Sequence, residues 1–234
     1  MLISLAGDST LGQIAGLYPQ LAEIVALSLR VSLTAVAIAT VIGFATGGIL
    51  AVYRFPGRGM LIALMHALMG LPPVIVGLFV YLFLSTSGPL GVLQLLYTPT
   101  AMIIAQAILV LPIIAALTYQ TCRELLEEYR EQLHSLGASS ASIVQTLLWD
   151  GRYRLVTAIL AGVGRAIAEV GAVMIVGGNI DHVTRTMTTA IALETSKGNL
   201  ALAIALGVVL LAIALAINMA LMWIRTLPTR HADA

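Results

Sequence analysis

Charge is what this sequence has least of. Only 10% of its 234 residues are Asp, Glu, Lys or Arg, while 59% are hydrophobic and the mean hydropathy is +1.00. Soluble domains carry about 25% charged residues, so this chain cannot cover its own surface in water. A net charge of +1 gives no basic field and excludes nucleic acid as a partner. The single cysteine, Cys122, excludes a disulfide framework or a thiolate metal cage within one copy. Lys197 is the only lysine and no GxxxxGK[ST] phosphate loop occurs, so the chain cannot supply an ordinary ATPase site. The N-terminal stretch lacks the basic leader of a cleavable signal peptide, its only charges before Arg30 being Asp8 and Glu23. The length suits one compact bundle, without room for an added soluble catalytic domain.

What is present is a series of long apolar runs. A bilayer crossing needs about 20 mostly apolar residues. The stretch from Arg30 to Arg54 holds no charge between its ends, which predicts a first span near 25–52. The charge-free interval from Arg58 to Arg123 is long enough for two crossings, near 60–85 and 99–121. Turn residues at Ser87-Gly88-Pro89-Leu90-Gly91 and Tyr97-Thr98-Pro99 separate them. A fourth span is placed at 155–178, stopped by Gly177-Gly178-Asn179, and a fifth at 200–224. The expected architecture is all-α: a single membrane domain over 1–234 with five transmembrane helices and a cytoplasmic loop at about 122–154.

Arginine placement orients the chain. With 122–154 inside, the inner loops and tail hold Arg54, Arg58, Arg123, Arg130, Arg152, Arg154, Arg225 and Arg230, and the outer segments only Arg185 and Lys197. The N-terminus is then outside and the C-terminus cytoplasmic, in a multi-pass protein of the cell (inner) membrane surrounded by lipid.

The 122–154 segment is the exception to the grease. Glu124, Glu127, Glu128 and Glu131 crowd into its first half, where Leu126, Tyr129, Leu133 and Leu136 fall at helical spacing. Gly137 is placed to end that helix. Ser139 or Ser140 can cap a second one, with Ile143, Val144, Leu147 and Leu148 as its apolar edge. The result is a helix–glycine–helix elbow, a shape suited to docking a partner rather than to a merely solvated loop.

Within the spans, Ala35, Ala39, Gly43 and Gly47 in the first and Gly164, Ala168 and Ala172 in the fourth form stripes of small residues that let backbones approach in lipid. Ordinary packing within the chain accounts for such stripes; the alternative sets part of the fourth-span stripe against a second copy across a central path. Pro72-Pro73 in the second span admits either a passive kink or a gating hinge. Arg165 and Glu169, at i and i+4, share a helix face. A charge at mid-bilayer costs about 2.5–3.5 kcal/mol on insertion scales, so both should face protein or water. They read either as a packing ion pair or as part of a permeation path.

Rival chemistries fare poorly. One Glu-x-x-His pair, Glu131 and His134, falls short of the two pairs and extra carboxylates of a di-iron bundle, so no metal site is expected. His66 reads as a packing histidine sooner than a proton relay. No GxSxG elbow accompanies the scattered Ser, His and Asp residues, so no catalytic residues are assigned. Thr184, Thr186, Thr188 and Thr189 are read as solvating an outer loop, the alternative being hydrogen bonds to an oxyanion.

Glu131 followed six positions later by Gly137 resembles the EAA loop of membrane subunits in binding-protein-dependent ABC importers, although Gln132 and Leu133 replace its two alanines. Asp150 also stands where that family's later Leu-Pro pair has its proline. Glu131, Leu136, Gly137, Ala138 and Ser139 are the residues that the resemblance marks for ATPase coupling. Leu71-Pro72-Pro73-Val74 with Val76-Gly77, and Gly88-Pro89-Leu90-Gly91, are similar to molybdate and sulfate permeases. Gly164 through Ala172, followed by Gly177-Gly178-Asn179-Ile180, looks closest to tungstate-type members. The resemblance covers residues 20–225 and implies the type I importer permease fold. It also implies a second copy of the chain, two ATP-binding subunits that hold the ATP and Mg, and an external (periplasmic or extracellular) solute-binding protein. This chain itself needs no cofactor and is not an enzyme. The reading is an oxyanion permease, for tungstate ahead of molybdate or sulfate; the different-class alternative is a secondary transporter or channel working without ATP.

Overall fold

With no ionised side chain between Arg30 and Arg54, helix α1 (Leu2–Val52) runs uninterrupted to the edge of the apolar stretch. The computed structural model describes Leu2 to Thr226, with side chains from Leu21 to Trp223 except at 134 and 221; Arg230, and the side chain of Arg225, lie outside the described residues. The end of α1 leaves carbonyls without intrahelical donors. Arg58 supplies them, its Nε donating to Leu50 O at 2.6 Å and its Nη2 to Ala51 O at 3.4 Å. The turn that brings it back contains Gly57 at φ 86°.

The described chain continues as α2 (Arg58–Leu68), α3 (Pro73–Leu84), α4 (Pro99–Glu128), α5 (Arg130–Ser135), α6 (Ser140–Asp150), α7 (Arg152–Ile167), α8 (Gly171–Gly177), α9 (Met187–Ser196) and α10 (Leu200–Thr226), with no strand among the described residues. Among the described residues, three helices are long and apolar enough to cross a membrane: Leu21–Val52 of α1, then α4, then Leu200–Ala220 of α10. Two further crossings arise if each of two bent pairs is one span: α2 with α3, at 106°, and α7 with α8, at 57°.

The second and fourth runs therefore differ from the single helices expected at 60–85 and 155–178. Pro72 is the N-cap of α3 and Pro73 its first residue. Proline's fixed φ and missing N–H suit a helix start and disfavour a helix interior, and with two prolines in succession Leu71-Pro72-Pro73 breaks the run instead of kinking it. Pro112, inside α4, is accommodated within a continuous helix. That helix also passes the expected end at 121 and carries the chain to Glu128.

α4 is the central post. Its buried Met102, Ala105 and Leu109 pack with Val76, Val80 and Leu84 of α3 and with Val173 and Val176 of α8. Ile114 and Val110 pack against Val36 and Ala39 of α1 and Ala158, Val163 and Ala166 of α7. The first-span glycines are spent on this contact: a Cβ on Gly43 would lie 2.8 Å from Ile114, and one on Gly47 would lie 2.6 Å from the Ala115 carbonyl. The stripe is an intrachain seam. The fourth-span stripe splits at the bend. Ala172 is buried with its Cα 2.7 Å from a Cβ built on Gly77, whereas Gly164 and Ala168 stay exposed.

Candidate functional site

Two polar features stand out from the apolar bundle. The first is the elbow. α4 ends at Glu128, Tyr129 starts a bend, and α5 is terminated by Gly137 at φ 61°. Only glycine adopts that left-handed conformation without a Cβ penalty. Ser139 then caps α6, its Oγ accepting from the Ser142 N–H at 3.2 Å. The inner face is anchored: Cys122, Leu125 and Leu147 are buried with Ala51 at the end of α1, and Leu126, Tyr129, Ile143 and Leu148 pack around them.

The outer face is largely exposed among the described residues. Leu136 is 80% exposed and Trp149 68%. Leu136 thus leaves the apolar side on which its spacing puts it with Leu126 and Tyr129, because Gly137 ends the helix beside it. Glu131, Gly137, Ala138 and Ser140 share a cleft of about 610 Å³ with Arg54 and Arg130. Trp149 escaped notice in the sequence, where a lone aromatic in an amphipathic run carries no signal; Arg152 stacks over its ring at 4.8 Å.

The second feature is the α7–α8 bend. Arg165 Nη1 donates to Glu169 Oε2 at 2.5 Å. The Glu169 side chain is 2% exposed and that of Arg165 27%. Glu169 Oε1 accepts the Ala172 N–H at 2.9 Å, so the carboxylate holds the first turn of α8 as well as the guanidinium. Its backbone carbonyl accepts the Thr188 hydroxyl at 2.8 Å. Across from it, Gln106 of α4 donates to Ala166 O at 3.1 Å, satisfying a carbonyl next to the break. A cavity of about 10 Å³, room for one water, lies among Ser28, Ser32, Gln106, Glu169, Thr186 and Thr188. Gln106 was missed because an uncharged amide leaves a charge-free interval intact.

The break at Pro72-Pro73 is adjacent to this pair: a Cβ on Gly171 would meet Val74 at 2.9 Å. The two bends therefore face each other through α3 and α8. The threonines between α8 and α9 and at the start of α9 are neither loop solvation nor free oxyanion donors. Thr184, Thr186 and Thr189 are buried. Thr184 donates to Gly177 O and accepts from the Ile180 N–H, while Thr186 and Thr189 form a capping box that starts α9. His66 packs edge-on to Tyr119, with its Nδ1 2.8 Å from Ile62 O.

A membrane bundle with broken helices at its centre and a capped elbow projecting from one end has the form of a transport subunit driven from outside the bilayer. No family model matches the chain. It is 42% identical over 203 residues to the probable anion ABC transporter permease protein of Haloferax volcanii, covering 85% of this chain and 88% of that one. It is 44% identical over 200 residues to the tungstate uptake system permease protein TupB of Peptoclostridium acidaminophilum, covering 86% and 88%. The sulfate transport system permease protein CysT of Escherichia coli is 29% identical over 197 residues, covering 81% and 70%. The chain belongs to the permease subunits of anion ABC transporters, multi-pass membrane proteins and not enzymes.

Proposed function

We propose that this chain is the permease of an ATP-driven importer of an oxyanion, tungstate, and that two copies form the translocation path. An ATP-binding subunit docks beneath each copy and an external solute-binding protein delivers the anion. Five crossings, each bent pair counted as one, set the termini on opposite sides, and the arginine bias supports the N-terminus outside and the C-terminus in the cytoplasm. The observation that carries the reading is the elbow. It is anchored on the ends of α1 and α4, while Leu136, Glu131 and Trp149 are left open on the other side. Motion imposed on that face would pass through α4, the post on which both broken helices pack.

Tungstate is favoured over sulfate by the identity of 44% to the tungstate permease against 29% to the sulfate one. The open face of Gly164 and Ala168 turns toward the second copy, because Arg165 beside it is costly to expose to hydrocarbon. The two bends, at Pro72-Pro73 and at Glu169, are where the path changes shape. The test is reconstitution of the permease with its ATPase and binding protein in proteoliposomes. Tungstate uptake should require ATP and all three components, and Glu131→Arg should lower it by disturbing electrostatic docking. Uptake by the permease alone, driven by an ion gradient, would establish the secondary-transporter alternative instead.

A further inference from the structure

Arg165 lies thirteen residues beyond Arg152 in α7, about 20 Å along the helix and so near mid-span. Only its Nη1 is engaged, by Glu169. Among the described residues, no hydrogen bond or ion pair involves Nε or Nη2. These two donors form one edge of the guanidinium and match two oxygens of an oxyanion. Around that edge the helix is bare. Gly164 and Ala168 are exposed, and a Cβ on Gly164 would meet nothing within 4 Å.

We propose that the free edge of Arg165 is a coordination point for a tetrahedral oxyanion in transit, with Glu169 as the positioning residue that holds the opposite side of the guanidinium. The inference rests on the importer reading. Glu169 cannot swing into the anion's place, because its second oxygen is committed to the Ala172 N–H. It fixes the fork in one orientation and offsets its charge. The anion is therefore held weakly, as a path site requires if it is to release its occupant. The missing side chains at Gly164 and the small one at Ala168 leave the space the anion occupies. A lysine could not do both tasks at once, having a point charge in place of two edges.

The test uses the purified permease in lipid nanodiscs, carrying Cys122→Ser and Ala168→Cys, so that its outcome is independent of the ATPase and the binding protein. The probe is tungstate, and the readout is the rate at which a neutral methanethiosulfonate reagent modifies position 168. Tungstate should slow the reaction, and Arg165→Gln should raise the concentration needed about ten-fold or more, the loss of a charge-assisted contact. Equal protection with Arg165→Gln, or none in the parent, overturns the proposal. Uptake by the complete complex supplies the second arm. If the charges serve only to pack α7, joint replacement by Arg165→Gln and Glu169→Met restores both thermal stability and uptake. If Arg165 coordinates the anion, stability returns and uptake does not. ATP-independent uptake combined with Arg165-dependent protection would refute the importer reading and leave the site standing.

Discussion

Gly137→Val isolates the elbow's corner better than any other single change. Gly137 sits at φ 61°, and a Cβ built on it meets nothing within 4 Å. A side chain there would therefore cost conformational strain alone, with no steric clash against a neighbour. For an L-residue the left-handed region costs roughly 1–2 kcal/mol, and for a β-branched one more. A corner whose formation constant falls by that amount loses about 5- to 30-fold in the population of its native geometry. Because Gly137 ends a six-residue helix outside the apolar runs, membrane insertion and dimer assembly should be unchanged. The assay is transport-coupled ATP hydrolysis and tungstate uptake in proteoliposomes holding the complete complex, compared across Gly, Asn, Ala and Val at 137. Asparagine tolerates the left-handed region, so the expected order of activity is Gly, then Asn, then Ala, then Val, with assembly measured by size-exclusion chromatography constant throughout. Full activity for Val, or a loss of assembly that tracks the loss of activity, would refute the argument that this turn transmits force.

Other outcomes test separate parts of the structure. Gly47→Leu should lower the thermal stability of the detergent-solubilised permease by about 1–3 kcal/mol, the usual cost of overpacking, because its Cβ would lie 2.6 Å from the Ala115 carbonyl; Gly164→Ala, with open space around it, should leave the solubilised monomer unchanged. In a Cys122-free background, a cysteine at Thr10 should be labelled from outside intact cells and one at Thr229, outside the described residues, only after permeabilisation; the reverse pattern would overturn the orientation. The His182 imidazole, between α8 and α9, is pushed above its usual range first by its hydrogen bond with Glu23 at 2.7 Å and then by the charges of Glu23 and Asp181. A raised folded-state value means the contact contributes fully below the ordinary imidazole value of about 6.5 and is lost as pH rises through the raised one. Amide exchange over residues 178–186 should therefore accelerate at alkaline pH beyond its intrinsic base dependence, and Glu23→Gln should abolish that excess; identical corrected rates in both would reject the link.

Local signals account for what the chain shows without its fold. The apolar runs are continuous enough that only a bilayer or a partner can cover them, and arginines fall at their borders. Gly137, Ser139 and Gly178 act through their own backbone or the next turn, so a left-handed φ at Gly137 and Gly178 and a cap at Ser139 follow from residue type and spacing. The pair of Arg165 and Glu169 is of the same kind, four residues apart on one helix.

What required the tertiary structure involves partners distant in sequence. Gly47 and Gly164 read alike as members of small-residue stripes. Only the approach of α4 decides that one is filled to the point of contact and the other is open. Pro72-Pro73 reads from sequence as a passive kink or a gating hinge within one span, and the structure instead ends α2 and starts α3 there, with α3 packed on α8 through Gly77 and Ala172. α9 was not anticipated, since its start depends on the capping box of Thr186 and Thr189, and those residues look like loop polarity until burial shows otherwise. Gln106 finds Ala166 from 60 positions away. Composition and local turns determined that this is a helical membrane protein with a projecting elbow, because those choices are settled within a few residues. Which small residues pack, which charge keeps a free edge and where the spans break were decided by contacts between helices, because in lipid those contacts carry the specificity that burial from water supplies elsewhere.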